Sequence, residues 1–253
     1  MTGPRIDAHA LTHVGRVRKN NEDSFCERPR DGLWAVADGM GGHERGEVAS
    51  AAIVEALHAA PLTGQFDDDA PIAADAIHAA NARIWAEGQE RGGQMGSTVV
   101  ALLLRGWRFA VLWVGDSRAY LLRGGTLYQL TRDHSQVQDM VDRGLLSEAD
   151  AAGHPMSHVL ARAVGVRPET EVDIVADEAV PGDVFLLCSD GLSGPLADAE
   201  IAGLLRTGDA QAAERLVAAT LDRGAPDNVT IVVVALNETT SLSFAEPVSG
   251  PSV

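Results

Sequence analysis

The chain has 253 residues, 45% of them hydrophobic, and a formal net charge of −16 from 36 acidic against 20 basic side chains. That length supports one large domain or two small ones with a substantial core, and the apolar content excludes a disordered polymer. The acidic excess argues against a nucleic-acid partner, because phosphate backbones are gripped by surplus Lys and Arg.

The N-terminus, MTGPRIDAHALTHVG, lacks the apolar core of a secretion signal. No apolar stretch approaches the ~20 residues of a membrane helix. Two cysteines, Cys26 and Cys188, are too few for a disulfide framework. A cytoplasmic protein without membrane contact is expected.

In chain order, the first strong signal is the apolar run LWAVA at 33–37, which ends at Asp38 and is followed by glycines at 39, 41, 42 and 46. Glycine tolerates strained dihedrals and lets other groups approach the backbone closely. This stretch is therefore either a sharp turn or a place where a carboxylate and a carbonyl face a hard cation. Ala-rich amphipathic helices are predicted at 47–60 and 72–90, with Pro61 and Pro71 bracketing the loop between them. The acids at 67–69 in that loop read as solvated surface. Short apolar, β-branched runs at 98–104, 109–114 and 119–122 predict strands in close, antiparallel succession.

The segment 136–163 differs: short helical pieces are broken by Gly144, Gly153 and Pro155, as in a flap lying over one edge of a core. A strand at 183–188, a helical pair at 197–205 and 210–222, and a last strand at 229–236 follow. The tail after Asn237 is rich in Ser, Thr and Pro and reads as disordered. Two helical pairs framing antiparallel strands predict an α+β fold, a four-layer αββα sandwich, because each sheet face needs an apolar cover. One domain over 1–237, with a flap at about 132–165, is expected.

Acids recur at the strand ends. Asp38 follows LWAVA, Asp116 follows LWVG, Asp190 follows VFLLCS, and Asp227 precedes VTIVVV, while Asn21-Glu22-Asp23 forms a further cluster. A turn or cap accounts for any one of them alone. Gathered at one rim they would repel and protonate unless a cation neutralised them. An all-oxygen ligand set favours Mg²⁺ or Mn²⁺ over zinc. Two such ions can lower the pKa of a shared water and clamp the oxygens of an in-line displacement at phosphorus. Phosphate then needs an arginine, for which Arg18 in GRVRKNNED is the choice; Arg118 is the competitor, with a structural salt bridge as its expected role.

Taken together, VRKNNEDSF, VADGMGGHERGEVAS, GSTVVALLL, VGDSRAYLLR, LTRDHS, HVLARAVG, FLLCSDGL and PDNVTIVVV resemble, in order and over nearly the whole chain, the bacterial metal-dependent (type 2C, PPM) serine/threonine protein phosphatases. The resemblance implies a β-sandwich flanked by helices, with a binuclear Mn²⁺/Mg²⁺ centre at one end. It implies that Asp38 bridges both metals, that the Gly39 carbonyl ligates one, and that Asp190 and Asp227 hold the first. Glu22 and Asp23 would lie in the second ion's shell through water, Asp116 and Asp190 would bind a third, weaker ion, and Arg18 would bind phosphate. Implied partners are phosphoserine and phosphothreonine proteins, including a cognate kinase or its substrates, with a monomer expected. Met40 stands directly after Asp38-Gly39, where many eukaryotic members have histidine; His43 is the nearby candidate acid, against a plain surface-loop role.

Other signals carry less. Neither Cys26 nor Cys188 has the arginine six residues on that a cysteine phosphatase needs: positions 32 and 194 are glycine. Gly115-Asp116-Ser117 lies mid-chain, and neither Ser117 nor Ser189 has the G-x-S-x-G elbow. No G-x₄-GK[ST] loop is present. His154 and His158 stand i, i+4 and read as flap packing. A rival reading is a phosphoprotein-binding module without turnover, which would be expected to have lost a metal aspartate; a third keeps the chemistry on a small phosphate ester.

Overall fold

The computed structural model describes residues 3–41, 44–151, 154–156, 159–206 and 210–238. His43, His158 and the tail beyond Glu238 lie outside the described residues. Two antiparallel sheets stand face to face. In one the strand order is β1 (Arg5–His13), β11 (Val229–Asn237), β10 (Val184–Cys188), β7 (Arg118–Arg123) and β8 (Thr126–Gln129). In the other it is β2 (Asp23–Arg28), β3 (Leu33–Met40), β5 (Val99–Arg105), β6 (Arg108–Val114) and β9 (Asp173–Glu178), with the short β4 (Gly96–Ser97) paired to the end of β3.

Strict alternation of side chains sorts the apolar residues into layers. Along β3, Trp34 and Val36 face the opposite sheet; with Val100, Leu102 and Val111 of their own sheet they pack against Phe185, Val232 and Val234 of the other. Leu33, Ala35 and Ala37 point the other way, onto α1 (Glu44–Ala59) and α2 (Phe66–Glu90) through Ala49, Ile53, Leu57 and Ile77. The short helices α3 (Gln136–Asp142), α4 (Glu148–Ala151) and α5 (Asp190–Ser193) come next in the chain, and Ile231 and Val233 of β11 and Leu186 of β10 likewise pack on α6 (Asp198–Leu205) and α7 (Ala210–Asp222) through Ile201, Leu205, Ala213 and Leu216. Phe109 and Phe185 meet edge-to-face at 4.9 Å between the sheets. The result is the expected αββα sandwich. Among the described residues no helix is long and apolar enough to cross a membrane.

Three differences from the sequence reading have physical causes. β3 does not stop at residue 37 but runs to Met40, because Gly39 and Met40 find partners in Ser97 and Gly96. The strands β1, β2 and β9, not anticipated, are sheet edges, and an edge strand needs no apolar run on both faces. Pro71 does not bound a loop: α2 starts at Phe66 and contains it.

The acids at 67–69 divide. Asp67 is solvated and pairs with Arg108 at 2.8 Å, as expected, but Asp69 is fully buried. Its Oδ1 accepts the Thr63 N–H at 2.6 Å and hydroxyl at 3.1 Å; its Oδ2 accepts the Gly64 N–H at 3.1 Å and Arg105 Nε–H at 2.6 Å. Burial alone would raise its pKa; the bonds from Thr63 and Arg105 overcome this and hold it below the usual carboxylate value. An amide in its place would present a donor to these donors. We expect Asp69→Asn to cost about 3 kcal/mol in urea unfolding at neutral pH. Because the native pKa is depressed, the wild-type advantage is present above pH ~4 and shrinks as pH falls below it. A gap that is unchanged from pH 7 to pH 3 would refute the assignment.

Candidate metal centre

The acids singled out from the sequence converge on one end of the sandwich, and the backbone explains how. Asp38 sits opposite Asp23 in the β2–β3 register. Its N–H donates to Thr98 Oγ1 at 3.1 Å, and its carbonyl accepts the Thr98 N–H at 2.8 Å and Ser97 Oγ–H at 2.9 Å. The strand end is thus held by main-chain and hydroxyl bonds that leave the carboxylate unused. Gly39 donates its N–H to the Glu22 carbonyl at 3.1 Å. A Cβ on Gly39 would collide with the Gly46 carbonyl, and one on Gly46 would collide with Glu22 Oε2. These two glycines are required for close approach; Gly41, with φ +140°, is required for its dihedral.

Around Asp38 the charges of Asp23, Asp190, Asp116 and Asp227 are all felt: desolvation first, then this repulsion, lifts its pKa well above the ordinary value. Asp116 is pushed up to about 8 by burial and by Asp190 and Asp133. Asp23 is pushed up to about 7, mainly by burial. Its Oδ2 accepts the Ser189 hydroxyl at 2.9 Å, while Oδ1 is buried with no hydrogen-bond partner. Asp38, Asp116, Asp190 and Asp227 keep partial solvent access, so the cluster opens outward.

Arg18 stands at the rim. Its guanidinium bonds Asp227 Oδ2 at 2.7 Å and is more than half exposed. That bond first, then the charge of Asp227, raises its pKa, with Glu22 and Asp38 adding to it. Arg118 takes the structural role expected of it, gripping Asp133 through contacts of 2.7 to 3.1 Å. Cys26 and Cys188 are buried thiols pushed up to about 12 by desolvation, consistent with inert core positions. His154 Nδ1 accepts the Met156 N–H at 3.2 Å within the segment 136–163.

Among the described residues, no group of three His, Cys, Asp or Glu side chains is arranged so that it could hold a metal ion as it stands. The carboxylates are near enough to repel and too open to be a finished cage. A divalent cation fits this donor set: it is all oxygen, carries uncompensated negative charge, and includes an orphaned carboxylate oxygen at Asp23.

Sequence reasoning missed the residues that hold the acids in place. Asn228 donates to the carbonyls of Val14 at 2.9 Å and Asn20 at 3.0 Å, and accepts the Glu22 N–H at 2.8 Å. It thereby ties the Arg18–Glu22 loop to the start of β11. Ser189 bridges Asp23 and the Thr230 N–H, the latter at 3.0 Å. The PDNV and CSDG strings were visible, but nothing local says that their Asn and Ser reach residues over 160 positions away.

Comparison with known proteins agrees with this geometry. The family model described as Protein phosphatase 2C matches residues 13–229. The chain is 42% identical over 233 residues to the serine/threonine protein phosphatase PstP of Mycobacterium tuberculosis, covering 88% of this chain and 44% of that protein. It therefore spans less than half the length of that relative. The serine/threonine phosphatase stp of Listeria welshimeri is 34% identical over 247 residues, covering 92% of this chain and 96% of that one. Among solved structures, the catalytic domain of PstP in complex with two manganese ions superposes with a TM-score of 0.84 at 38% identity, over 94% of this chain and all of that one. Fold, family model and relatives agree, and this chain belongs to the protein phosphatase 2C family.

Proposed function

We propose that the chain is a metal-dependent serine/threonine protein phosphatase that hydrolyses phosphoserine and phosphothreonine in proteins. The observation that carries this reading is the set of carboxylates repelling one another around Asp38 at one end of the sandwich, with Arg18 at its rim. The names of the relatives and the two manganese ions of the PstP domain support it.

Asp38, the Gly39 carbonyl, Asp190 and Asp227 would hold two Mn²⁺ or Mg²⁺ ions, with Glu22 and Asp23 acting through water and Asp116 with Asp190 serving a third, weaker one. Such ions supply positive charge that acidifies water and neutralises phosphate oxygens. The chain's own residues do the rest. Asp227 holds Arg18 at the rim, and a guanidinium with five N–H donors keeps free ones for a phosphate. Ser97 and Thr98 fix the Asp38 backbone, and Asn228 fixes that of Glu22. Water adds to phosphorus while the phosphorus–oxygen bond to the seryl or threonyl side chain breaks, and the released alkoxide takes a proton.

The segment 132–165 is the flap that controls access for a protein substrate, within one domain over 1–237. The enzyme acts in the cytoplasm as a monomer and opposes a serine/threonine kinase.

We expect phosphate release from a phosphothreonine peptide with Mn²⁺, none with EDTA, and none from Asp190→Ala. Release from free phosphoserine as fast as from the peptide would instead indicate a small-ester enzyme; silence of the Mn²⁺-loaded wild type on several phosphopeptides would indicate a binding module. Removing the arginine, in Arg18→Ala, should lower kcat/KM for the peptide about 10- to 100-fold, the worth of one or two charged hydrogen bonds. An unchanged kcat/KM would take Arg18 out of the phosphate site.

Acid repulsion also predicts a stability profile. Asp23 and Asp116 have native pKa values raised to about 7 and about 8, so the folded state keeps protons that the unfolded chain has released. Without divalent cation, stability should therefore fall as pH rises from ~4 towards 8, and Asp116→Asn should flatten that fall. Thermal midpoints in EDTA at pH 5 and pH 8 read this directly; equal slopes for both proteins would exclude it.

A further inference from the structure

The string LTRDHS at 130–135 belongs to the family pattern but contributes no candidate ligand to the centre described above; its Asp133 acts there only through its charge and its pairing with Arg118. In the structure its histidine grips the residue before Asp116. Gly115 donates its N–H to His134 Nδ1 at 3.0 Å, and its carbonyl accepts the His134 N–H at 2.9 Å. Both main-chain polar groups of Gly115 are thus taken by one residue from the connection after β8. Gly115 has φ +110°, and a Cβ there would lie 2.6 Å from the Thr98 side chain, so the turn into Asp116 admits little else.

The hydrogen bonds set the tautomer. Because Nδ1 accepts, the ring proton of a neutral His134 is on Nε2. Nε2 faces Asp173 Oδ2 at 3.3 Å, which receives that proton's hydrogen bond. The other oxygen of Asp173 accepts from Arg162 at 2.6 Å. The ring also stacks on Trp113, with centroids 6.0 Å apart and planes 20° from parallel. Burial first, then the Arg162 charge, lowers the His134 pKa, in keeping with a neutral ring.

The same residue is stitched to the base of the flap. Ala161 donates its N–H to the His134 carbonyl at 2.8 Å, and Gln136 donates to the Val159 carbonyl at 2.9 Å. A continuous line therefore runs from Arg162, at the end of the flap, through Asp173 and His134 to Gly115 and Asp116.

We infer that His134 is a positioning residue: held as the Nε2–H tautomer by Asp173, it fixes the Gly115–Asp116 turn and so places the Asp116 carboxylate at the acidic cluster, in register with the flap base. The inference rests on the phosphatase reading for its effect on turnover, but its structural part does not. Partners that hold a metal-binding side chain in place are typically worth 10- to 100-fold in metal affinity or activity. A histidine that merely fills space would affect stability alone.

The test uses the whole chain and three substitutions. Imidazole ¹⁵N shifts at pH 7 should show His134 with Nδ1 unprotonated and Nε2 protonated in the wild type; a protonated Nδ1 would overturn the assignment whether or not the protein is a phosphatase. Asp173→Asn should shift the ring towards the other tautomer and speed hydrogen exchange at the Gly115 amide. His134→Leu should raise the Mn²⁺ concentration for half-maximal peptide turnover, or lower kcat, at least about 10-fold. His134→Asn, which keeps an acceptor near the Nδ1 position, should recover part of that loss and part of the Gly115 protection. If His134→Leu is unstable, Asp173→Asn carries the test alone. Wild-type Mn²⁺ dependence, kcat and Gly115 exchange in folded Asp173→Asn would refute the positioning role.

Discussion

Repulsion among partly desolvated carboxylates at one end of the sandwich is the constraint around which the molecule is arranged. Asp38, Asp116, Asp190 and Asp227 are carried to that end by strands whose other residues are buried on both faces, and Asp23 is drawn in beside them by the β2–β3 register. Such a cluster raises the free energy of the folded chain. It persists because the apolar layers that hold the strands are extensive and lie elsewhere: between the sheets, under α1 and α2, and under α6 and α7. The strand ends have little freedom to relax, since Ser97, Thr98, Ser189 and Asn228 occupy the nearby backbone groups. In the proposed function, the cluster would thus be kept poised for a cation.

That division explains which parts of the fold were legible. The interior strands β3, β5, β6, β7, β10 and β11 each announced themselves as apolar runs, because a strand covered on both faces has little room for polar side chains. The strands β1, β2 and β9, missed outright, are sheet edges. RIDAHALTH and DIVADE carry enough polar residues to pass for loops, and only their neighbours make them strands. Asp69 failed for a related reason. An acid in a run of three reads as solvent-facing until Arg105, 36 residues away, is known to meet it.

The centre was more legible than the fold around it, because an aspartate ending a buried strand next to glycine is a local pattern. The glycines themselves were readable only in part: their density marked the place, but the structure shows that Gly39 and Gly46 are there for contact with each other's strand and helix and with Glu22, rather than for a left-handed backbone. The supporting residues were silent. Asn228 and Ser189 act over 206 and 166 positions, and the sequence around each looks complete without that partner. His134 sits 19 positions from Gly115 and would pass as one more buried polar residue at a strand end.

Arg18 shows how the same repulsion shapes the rim. In a site of net negative charge, an exposed arginine is drawn inward whether or not phosphate is there, and here it rests on Asp227 at 2.7 Å. Neutralising the carboxylates removes part of that attraction, since Asp227 would share its charge with a cation, and the guanidinium then has more donors for an incoming dianion. In the proposed phosphatase, phosphate and cation would therefore favour each other's binding through Asp227 and Arg18, with no change of fold required. The acidity that draws the arginine onto Asp227 is the acidity that a cation would offset. Loading of the proposed centre and readiness for substrate would then be one electrostatic event.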